Sequence, residues 1–108
     1  VTSCQRELAI ARLTQTKLPI PEIFVTADDV TQGKPHPEPY QLGAKLMGLD
    51  PHNTFVIEDA PAGVSAGIAA GATVLAVTTT HSHGVLRHAS RIVEDLEGAL
   101  EYLQSSVG

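Results

Sequence analysis

Short apolar runs alternate with helix-like patterns along this chain of 108 residues. The predicted strands are residues 23–27, 53–59, 72–80 and 91–95. The predicted helices are residues 5–16, 37–49, 60–71 and 96–104. Nearly continuous apolar strands that alternate with helices are typical of a parallel sheet covered by helices on both faces. The pattern therefore predicts a Rossmann-like α/β fold.

Charge and cysteine content exclude several classes of protein. The net charge is −5 and no basic cluster is present, which argues against a general nucleic-acid binder because that class needs a positive face. No apolar run approaches the roughly 20 residues that span a bilayer. Cys4 is the only cysteine, so an internal disulfide is excluded and a reducing compartment is expected. We expect a cytoplasmic protein with neither nucleic acid nor membrane as a partner.

The first four residues, VTSC, resemble the end of a strand that runs into a turn. A strand normally needs several residues, so its earlier part would precede Val1. We therefore expect the chain to be a piece of a longer protein. Its length suits one small domain, and residues 1–108 are predicted to form part of a single domain.

Polar residues lie at or after the ends of three apolar segments, namely the strand end at residues 1–4 and the predicted strands 23–27 and 53–59. These residues are Thr2, Ser3, Lys34, Glu58 and Asp59. In open α/β sheets, ligands bind beyond the carboxyl ends of the strands. Hydroxyl groups, backbone amides at a helix start and a lysine can together bind phosphate. The two adjacent carboxylates are suited to Mg²⁺, which takes one or two carboxylates plus substrate oxygens and water.

Lys34 lies in the stiff stretch GKPHPEPY, where Pro35 and Pro37 fix the backbone angle φ. This setting favours a cation that is held against a fixed anion. Each polar feature also has a simpler interpretation. Thr2 and Ser3 could cap a helix, Lys34 could be solvent-exposed, and the two carboxylates could cap the helix that follows them. The combination in this order is more specific than any one member.

Three stretches resemble motifs of the haloacid dehalogenase superfamily. VTS, GKPHPEPY and VIEDAPAGVSAGIAAG are similar to its second, third and fourth motifs, and the chain most resembles its small sugar-phosphate and glycerol-phosphate phosphatases, including 2-deoxyglucose-6-phosphate phosphatases. The resemblance implies that Thr2 binds the transferring phosphoryl group, with help from the Ser3 backbone. It implies that Lys34 stabilises the nucleophile and the phosphoryl charge, and that Asp59 with Glu58 holds Mg²⁺.

The family's first motif, a DxDGT-like run, does not occur in these residues. In the family its first aspartate is the nucleophile and its second the general acid and base. The cap domain, which lies between the first and second motifs, is also missing. The resemblance thus implies an incomplete core domain, residues 1–108 being its C-terminal portion, without the first-motif strand. The missing N-terminal part of the same protein is an expected partner.

The function implied by this resemblance is Mg²⁺-dependent hydrolysis of a small sugar or polyol phosphate through an aspartyl-phosphate. Two alternatives stay open at this point. One is a phosphomutase of the β-phosphoglucomutase type, which the missing cap would decide. The other is a non-catalytic fragment that packs against a partner, since an incomplete sheet has an exposed edge.

Overall fold

The computed structural model describes residues 1–79 and 81–107, with side chains at all of these except 83, 85, 106 and 107. The helices are α1 (Arg6–Gln15), α2 (Glu38–Leu46), α3 (Pro61–Ala70), α4 (His83–Leu86) and α5 (Leu96–Val107). The strands are β1 (Phe55–Glu58), β2 (Thr73–Val77) and β3 (Arg91–Val93). Each helix predicted from the sequence pattern is confirmed within a few residues.

The three strands form one parallel sheet in the order β1-β2-β3. Ile57 pairs with Leu75, and Ala76 pairs with Ile92. Each connection between neighbouring strands includes a helix, as parallel pairing requires. The parallel α/β sheet predicted from the alternation is therefore confirmed.

Helices cover both faces of this sheet. Val74 and Ala76 lie in one buried cluster with Val64 of α3 and Leu86 of α4. Leu75 and Val77 lie in a second buried apolar cluster, together with Ala99 of α5. Successive residues of a strand point to opposite faces, so the two clusters lie on opposite sides of β2. The predicted two-sided covering is confirmed, with β2 fully enclosed between α3 and α5.

Helix α3 lies close to the sheet because small residues face it. Pro61 occupies its first turn, where its missing N–H costs no hydrogen bond, and Gly71 ends it in the left-handed conformation with φ of 92°. Gly67 faces the strands, and a Cβ added there would lie 2.6 Å from Val74 Cγ2 and 3.3 Å from Val56 Cγ1. The close approach of helix and sheet therefore depends on the absence of a side chain at Gly67.

We expect Gly67→Ala to destabilise the protein by about 1–3 kcal/mol, since an extra methyl group must force apart a packed core. Urea unfolding followed by circular dichroism would measure this loss. Gly84→Ala is the matched control, because a Cβ there would lie at an ordinary 3.9 Å from Ser82 Oγ. A Gly67→Ala protein as stable as the Gly84→Ala protein would contradict the packing described for α3.

Two predicted strand segments are not strands in the structure. Residues 1–4, predicted as a strand end, and residues 23–27, predicted as a strand, run beside each other without strand pairing. Thr2 N–H donates to the Val25 carbonyl at 2.9 Å, and Ala27 N–H donates to the Cys4 carbonyl at 2.9 Å. Two such bonds between short segments do not build a ladder, because an isolated pair of strands is marginal without a third neighbour.

Strand β1 lies at an edge of the sheet, and part of its apolar surface is uncovered. Phe55 and Ile57 are each 42% exposed. They lie on the face of the sheet where α5 packs against β2 and β3. Their exposure agrees with the expectation of an incomplete core. No helix within residues 1–79 and 81–107 has the length and apolar character needed to cross a membrane.

Candidate functional site

The residues predicted to bind phosphate come together around one cavity. Thr2, Ser3 and Lys34 line one cavity of about 280 Å³, whose wall also includes Thr31 and Pro39. More than thirty positions of sequence separate the lysine from the hydroxyl pair. The hydroxyls of Thr2 and Ser3 and the ammonium of Lys34 can donate to an anion bound in this cavity.

The turn at the start of the chain is held by its own backbone. Thr2 Oγ1 accepts a hydrogen bond of 3.1 Å from Cys4 N–H, while Ser3 is exposed. Helix α1 has Gln5 as its N-cap, without a side-chain capping bond. The alternative interpretation, in which Thr2 and Ser3 cap that helix, is therefore wrong. The first helical amide, Arg6 N–H, donates to Asp28 Oδ2 at 2.9 Å.

Lys34 is held in place by an ion pair. Its Nζ lies 2.5 Å from Glu58 Oε2, and the two side chains are only 12% and 8% exposed. The Nζ atom also lies 4.9 Å from the centre of the Tyr40 ring, at a distance typical of a cation–π contact. The alternative of a solvent-exposed lysine is therefore wrong. A cation so enclosed keeps one position relative to the cavity that it lines.

Tyr40 completes this group from helix α2. Its hydroxyl donates to the same oxygen of Glu58 that accepts from Lys34. Burial, and next the hydrogen bond to Glu58, raise the pKa of Tyr40 above its ordinary value. The hydroxyl therefore stays protonated at neutral pH and remains a donor. We refer to Lys34, Glu58 and Tyr40 together as the lysine clamp.

The Glu58 side chain needs the space that a glycine leaves at the start of α3. A Cβ on Gly63 would overlap with the carboxylate group of Glu58. Glu58 is the last residue of β1, and the chain turns into α3 within three residues. The sequence EDAPAG thus places the carboxylate and the glycine that makes room for it on opposite sides of one turn.

Asp59 follows β1 directly and is half-buried. The ring Nδ1–H of His81, from the segment after β2, donates to the Asp59 carbonyl oxygen at 3.0 Å. Within the described part of the chain, no three His, Cys, Asp or Glu side chains converge as a metal site. A single accessible carboxylate still fits Mg²⁺, which takes one or two from protein. Asp59 suits that role by its position at the carboxyl end of β1, and the adjacent carboxylate of Glu58 accepts bonds from Lys34 and Tyr40.

The loop that carries Lys34 is braced by the acidic residue that starts α2. The Glu38 carboxylate accepts hydrogen bonds from Thr31 N–H at 2.6 Å and from Gln32 N–H at 3.3 Å. His36 Nδ1 accepts a bond of 3.1 Å from Glu38 N–H. The peptide bond between Lys34 and Pro35 is cis. The loop is therefore fixed by side-chain bonds to its backbone as well as by its prolines.

A second carboxylate ties α1 to the segment before this loop. Asp29 Oδ2 accepts bonds from Thr26 N–H at 2.8 Å, from the Thr26 hydroxyl at 2.9 Å and from Arg6 at 2.7 Å. Arg6 also donates to the Phe24 carbonyl at 2.9 Å. The bond from Thr26 N–H, more than any other contact, lowers the pKa of Asp29. This network holds the two sides of the cavity together.

Because the pKa of Asp29 is lowered below 3.8 on folding, its carboxylate adds stability above that pH. The contribution is lost as the pH falls through the lowered pKa of the folded state. We therefore expect the stability difference between wild type and Asp29→Asn to be largest near neutral pH and to shrink below pH 3.8. Urea unfolding at a series of pH values would show this. Glu22→Gln, which removes an exposed carboxylate, is the control for the loss of one negative charge.

Comparison with known proteins agrees with this geometry. The family model described as "Haloacid dehalogenase-like hydrolase" matches residues 1–77. The chain belongs to this family. The resemblance noted from the motifs is thereby confirmed, and the matched residues include every member of the lysine clamp as well as Thr2 and Asp59.

Relatives within the haloacid dehalogenase-like family include named phosphatases. Hexitol phosphatase A of Escherichia coli is 46% identical over 97 residues, which cover 90% of this chain and 45% of that protein. Glycerol-1-phosphate phosphohydrolase 1 of Saccharomyces cerevisiae is 45% identical over 86 residues, covering 73% of this chain and 34% of that protein. The chain thus spans less than half the length of either relative.

Solved structures of the family have the same fold. A hydrolase from Pseudomonas syringae is 32% identical and superposes with a TM-score of 0.82, covering 94% of this chain and 50% of that one. A beta-phosphoglucomutase-like protein from Bacteroides vulgatus is 38% identical and superposes with a TM-score of 0.75, covering 89% of this chain and 43% of that one. The chain corresponds to half or less of each, which confirms the predicted incomplete core.

Sequence reasoning missed several residues that build this site. The sequence pattern predicts no role for the hydroxyl of Tyr40. Glu38 and Asp29 were given no role in the site either, although each accepts a hydrogen bond from the backbone of a site segment. The bond from the His81 ring to the Asp59 carbonyl was not predicted. The signal for Tyr40 was its place directly after the PHPEP stretch, since a phenol at the start of a helix beside a lysine loop can reach the loop's charges.

Proposed function

We propose that the protein containing this chain hydrolyses the phosphate monoester of a small sugar or polyol. The observation that carries the proposal is the single cavity lined by Thr2, Ser3 and Lys34, with the lysine fixed by a nearly buried carboxylate. Two relatives that are 46% and 45% identical to this chain over the aligned residues are named hexitol phosphatase and glycerol-1-phosphate phosphohydrolase, which supports this choice of substrate class.

In the proposed reaction, the phosphoryl group lies in this cavity. The Thr2 hydroxyl donates to one phosphoryl oxygen, and the Ser3 backbone supports the same group. Lys34 Nζ faces the transferring oxygens and offsets the negative charge that they carry. Phosphoryl transfer depends mainly on positioning and electrostatics, so a cation with one fixed position is the most effective contribution that these residues can make.

The proposed nucleophile is an aspartate that lies outside the 108 residues of this chain. Its carboxylate would attack phosphorus and the bond from phosphorus to the sugar or polyol oxygen would break, with that oxygen taking a proton from the second aspartate of the first motif. Water, giving a proton to the same aspartate, would then hydrolyse the aspartyl-phosphate. Mg²⁺ is the proposed cofactor, with Asp59 as a carboxylate ligand; when bound, it would supply positive charge beside the phosphoryl oxygens. Glu58 was predicted as a second ligand, and that role stays a prediction beside its observed bond to Lys34. The cytoplasmic location and the assignment of residues 1–108 to one core domain stay proposals as well.

Phosphate release from the intact protein tests the function. Hexitol phosphates, glycerol 1-phosphate and 2-deoxyglucose 6-phosphate would be supplied with and without Mg²⁺, and inorganic phosphate would be measured. We expect Mg²⁺-dependent release from at least one of these esters. An intact, folded protein that releases phosphate from none of them would contradict the proposal.

A phosphomutase is the second candidate, because a beta-phosphoglucomutase-like protein superposes on this chain with a TM-score of 0.75. A mutase returns the phosphoryl group to another hydroxyl of the sugar, whereas a phosphatase passes it to water. Isomer analysis of glucose 1-phosphate after incubation separates them. Conversion to glucose 6-phosphate without phosphate release would favour the mutase.

A further inference from the structure

The lysine clamp contains one residue for which the proposed reaction has no use. Tyr40 lines no part of the cavity formed by Thr2, Ser3 and Lys34, so its hydroxyl is not placed to touch a phosphoryl group there. Its hydroxyl nevertheless donates to Glu58, and its ring lies 4.9 Å from Lys34 Nζ. One side chain thus contacts both members of a nearly buried ion pair through two different groups.

A lysine ammonium is a compact charge on a flexible stem with about 2 kcal/mol of rotamer entropy. A single carboxylate oxygen restrains its distance but leaves much of its direction free. The Tyr40 ring closes one side of Nζ, and the shared oxygen of Glu58 closes another. The same lysine lines the cavity with Thr2 and Ser3, so these two contacts restrain the ammonium of a residue in the cavity wall.

Glu58 itself needs a second restraint. Its carboxylate is 8% exposed and lies against the Gly63 backbone at the start of α3. The bond from the Tyr40 hydroxyl joins it to α2, so the carboxylate is fixed between two helices and the end of β1. Without that bond, the Glu58 side chain would be less restrained, and the Lys34 ammonium paired with it would no longer keep one position at the cavity.

We propose that Tyr40 is a positioning residue, which holds Glu58 by its hydroxyl and thereby fixes the ammonium of Lys34 at the phosphate cavity. This inference rests on the proposed phosphatase function for its catalytic consequence. Its structural consequence, a fixed Lys34 ammonium, does not depend on that function.

Tyr40→Phe in the intact protein tests the proposal, since it keeps the ring and removes the hydroxyl. We expect kcat to fall roughly 10-fold while KM changes little, as expected for loss of a group that orients a catalytic residue. We also expect the ¹H–¹⁵N signal of the Lys34 ammonium, visible only when that group is ordered and protected, to broaden or disappear. Tyr102→Phe is the matched control, because Tyr102 lies in α5 beside Arg91, away from the cavity.

The two readouts separate the possible failures. A Tyr40→Phe protein that retains the wild-type Lys34 signal overturns the proposal, whatever its activity. A lost signal with unchanged kcat overturns the catalytic part. If the wild-type protein hydrolyses no ester, the proposed function fails, and the Lys34 signal alone decides whether Tyr40 positions the lysine. Thermal melting of each variant sets a temperature at which all are folded, so that unfolding cannot imitate the effect.

Discussion

Replacing Lys34 with alanine is expected to lower kcat by roughly 10²-fold or more, because the variant loses the cation that offsets charge in the transition state. Lys34→Arg is not expected to restore full activity, since a planar guanidinium cannot take the place of a compact ammonium between Glu58 and the Tyr40 ring. Steady-state kinetics with the preferred ester would measure both. A change in KM alone would show that Lys34 is a binding contact and not a catalytic residue.

Lys34→Ala is also expected to lower the stability of the protein, and this loss must be separated from the loss of kcat. Lys34→Ala leaves the Glu58 carboxylate nearly buried without its counter-ion, and loss of one partner from a buried pair costs about 3–5 kcal/mol. The double variant Lys34→Ala with Glu58→Gln removes the unpaired charge. We expect it to recover most of the lost stability and none of the lost kcat. Lys45→Ala, which removes an exposed lysine of α2, is the control for charge alone.

Local pattern was sufficient to predict the fold class. The small residues of 60–71 and the apolar run of 72–80 predicted a helix packed closely on a buried strand, and α3 and β2 confirm both. The pattern failed at residues 23–27, where apolar and β-branched residues predicted a strand. Strand formation depends on a neighbouring strand, and the two backbone bonds to residues 1–4 do not supply a ladder.

The order of elements along the sequence predicted which residues lie near one another, but it could not predict which side chains bond to one another. Thr2 and Lys34 were expected at one edge of the sheet because each follows an apolar segment, and they do line one cavity. Glu58 was expected beside Asp59 as a metal ligand, since the two are adjacent in sequence. Its bond to Lys34 joins residues 24 positions apart and requires the space above Gly63, and no periodicity in the sequence encodes such a contact.

The proposed Mg²⁺ site depends on Asp59. Its replacement is expected to have the second large effect on turnover. Asp59→Asn keeps the shape of the side chain and removes its charge. Turnover at saturating Mg²⁺ is expected to fall by roughly 10²- to 10³-fold, because the charge that holds the cation beside the phosphoryl group is lost. The bond from His81 to the Asp59 carbonyl is unchanged by the substitution, and we expect the fold to stay intact, which circular dichroism would check.

A thermal-shift titration separates loss of the metal from loss of chemistry. A cation that binds only the folded protein raises the melting temperature with its concentration, and EDTA reverses the shift. We expect Mg²⁺ to raise the melting temperature of wild type and of Glu22→Gln, an exposed carboxylate variant, but not that of Asp59→Asn. An Asp59→Asn protein that keeps both the Mg²⁺ shift and normal turnover at low Mg²⁺ would show that this carboxylate is no ligand.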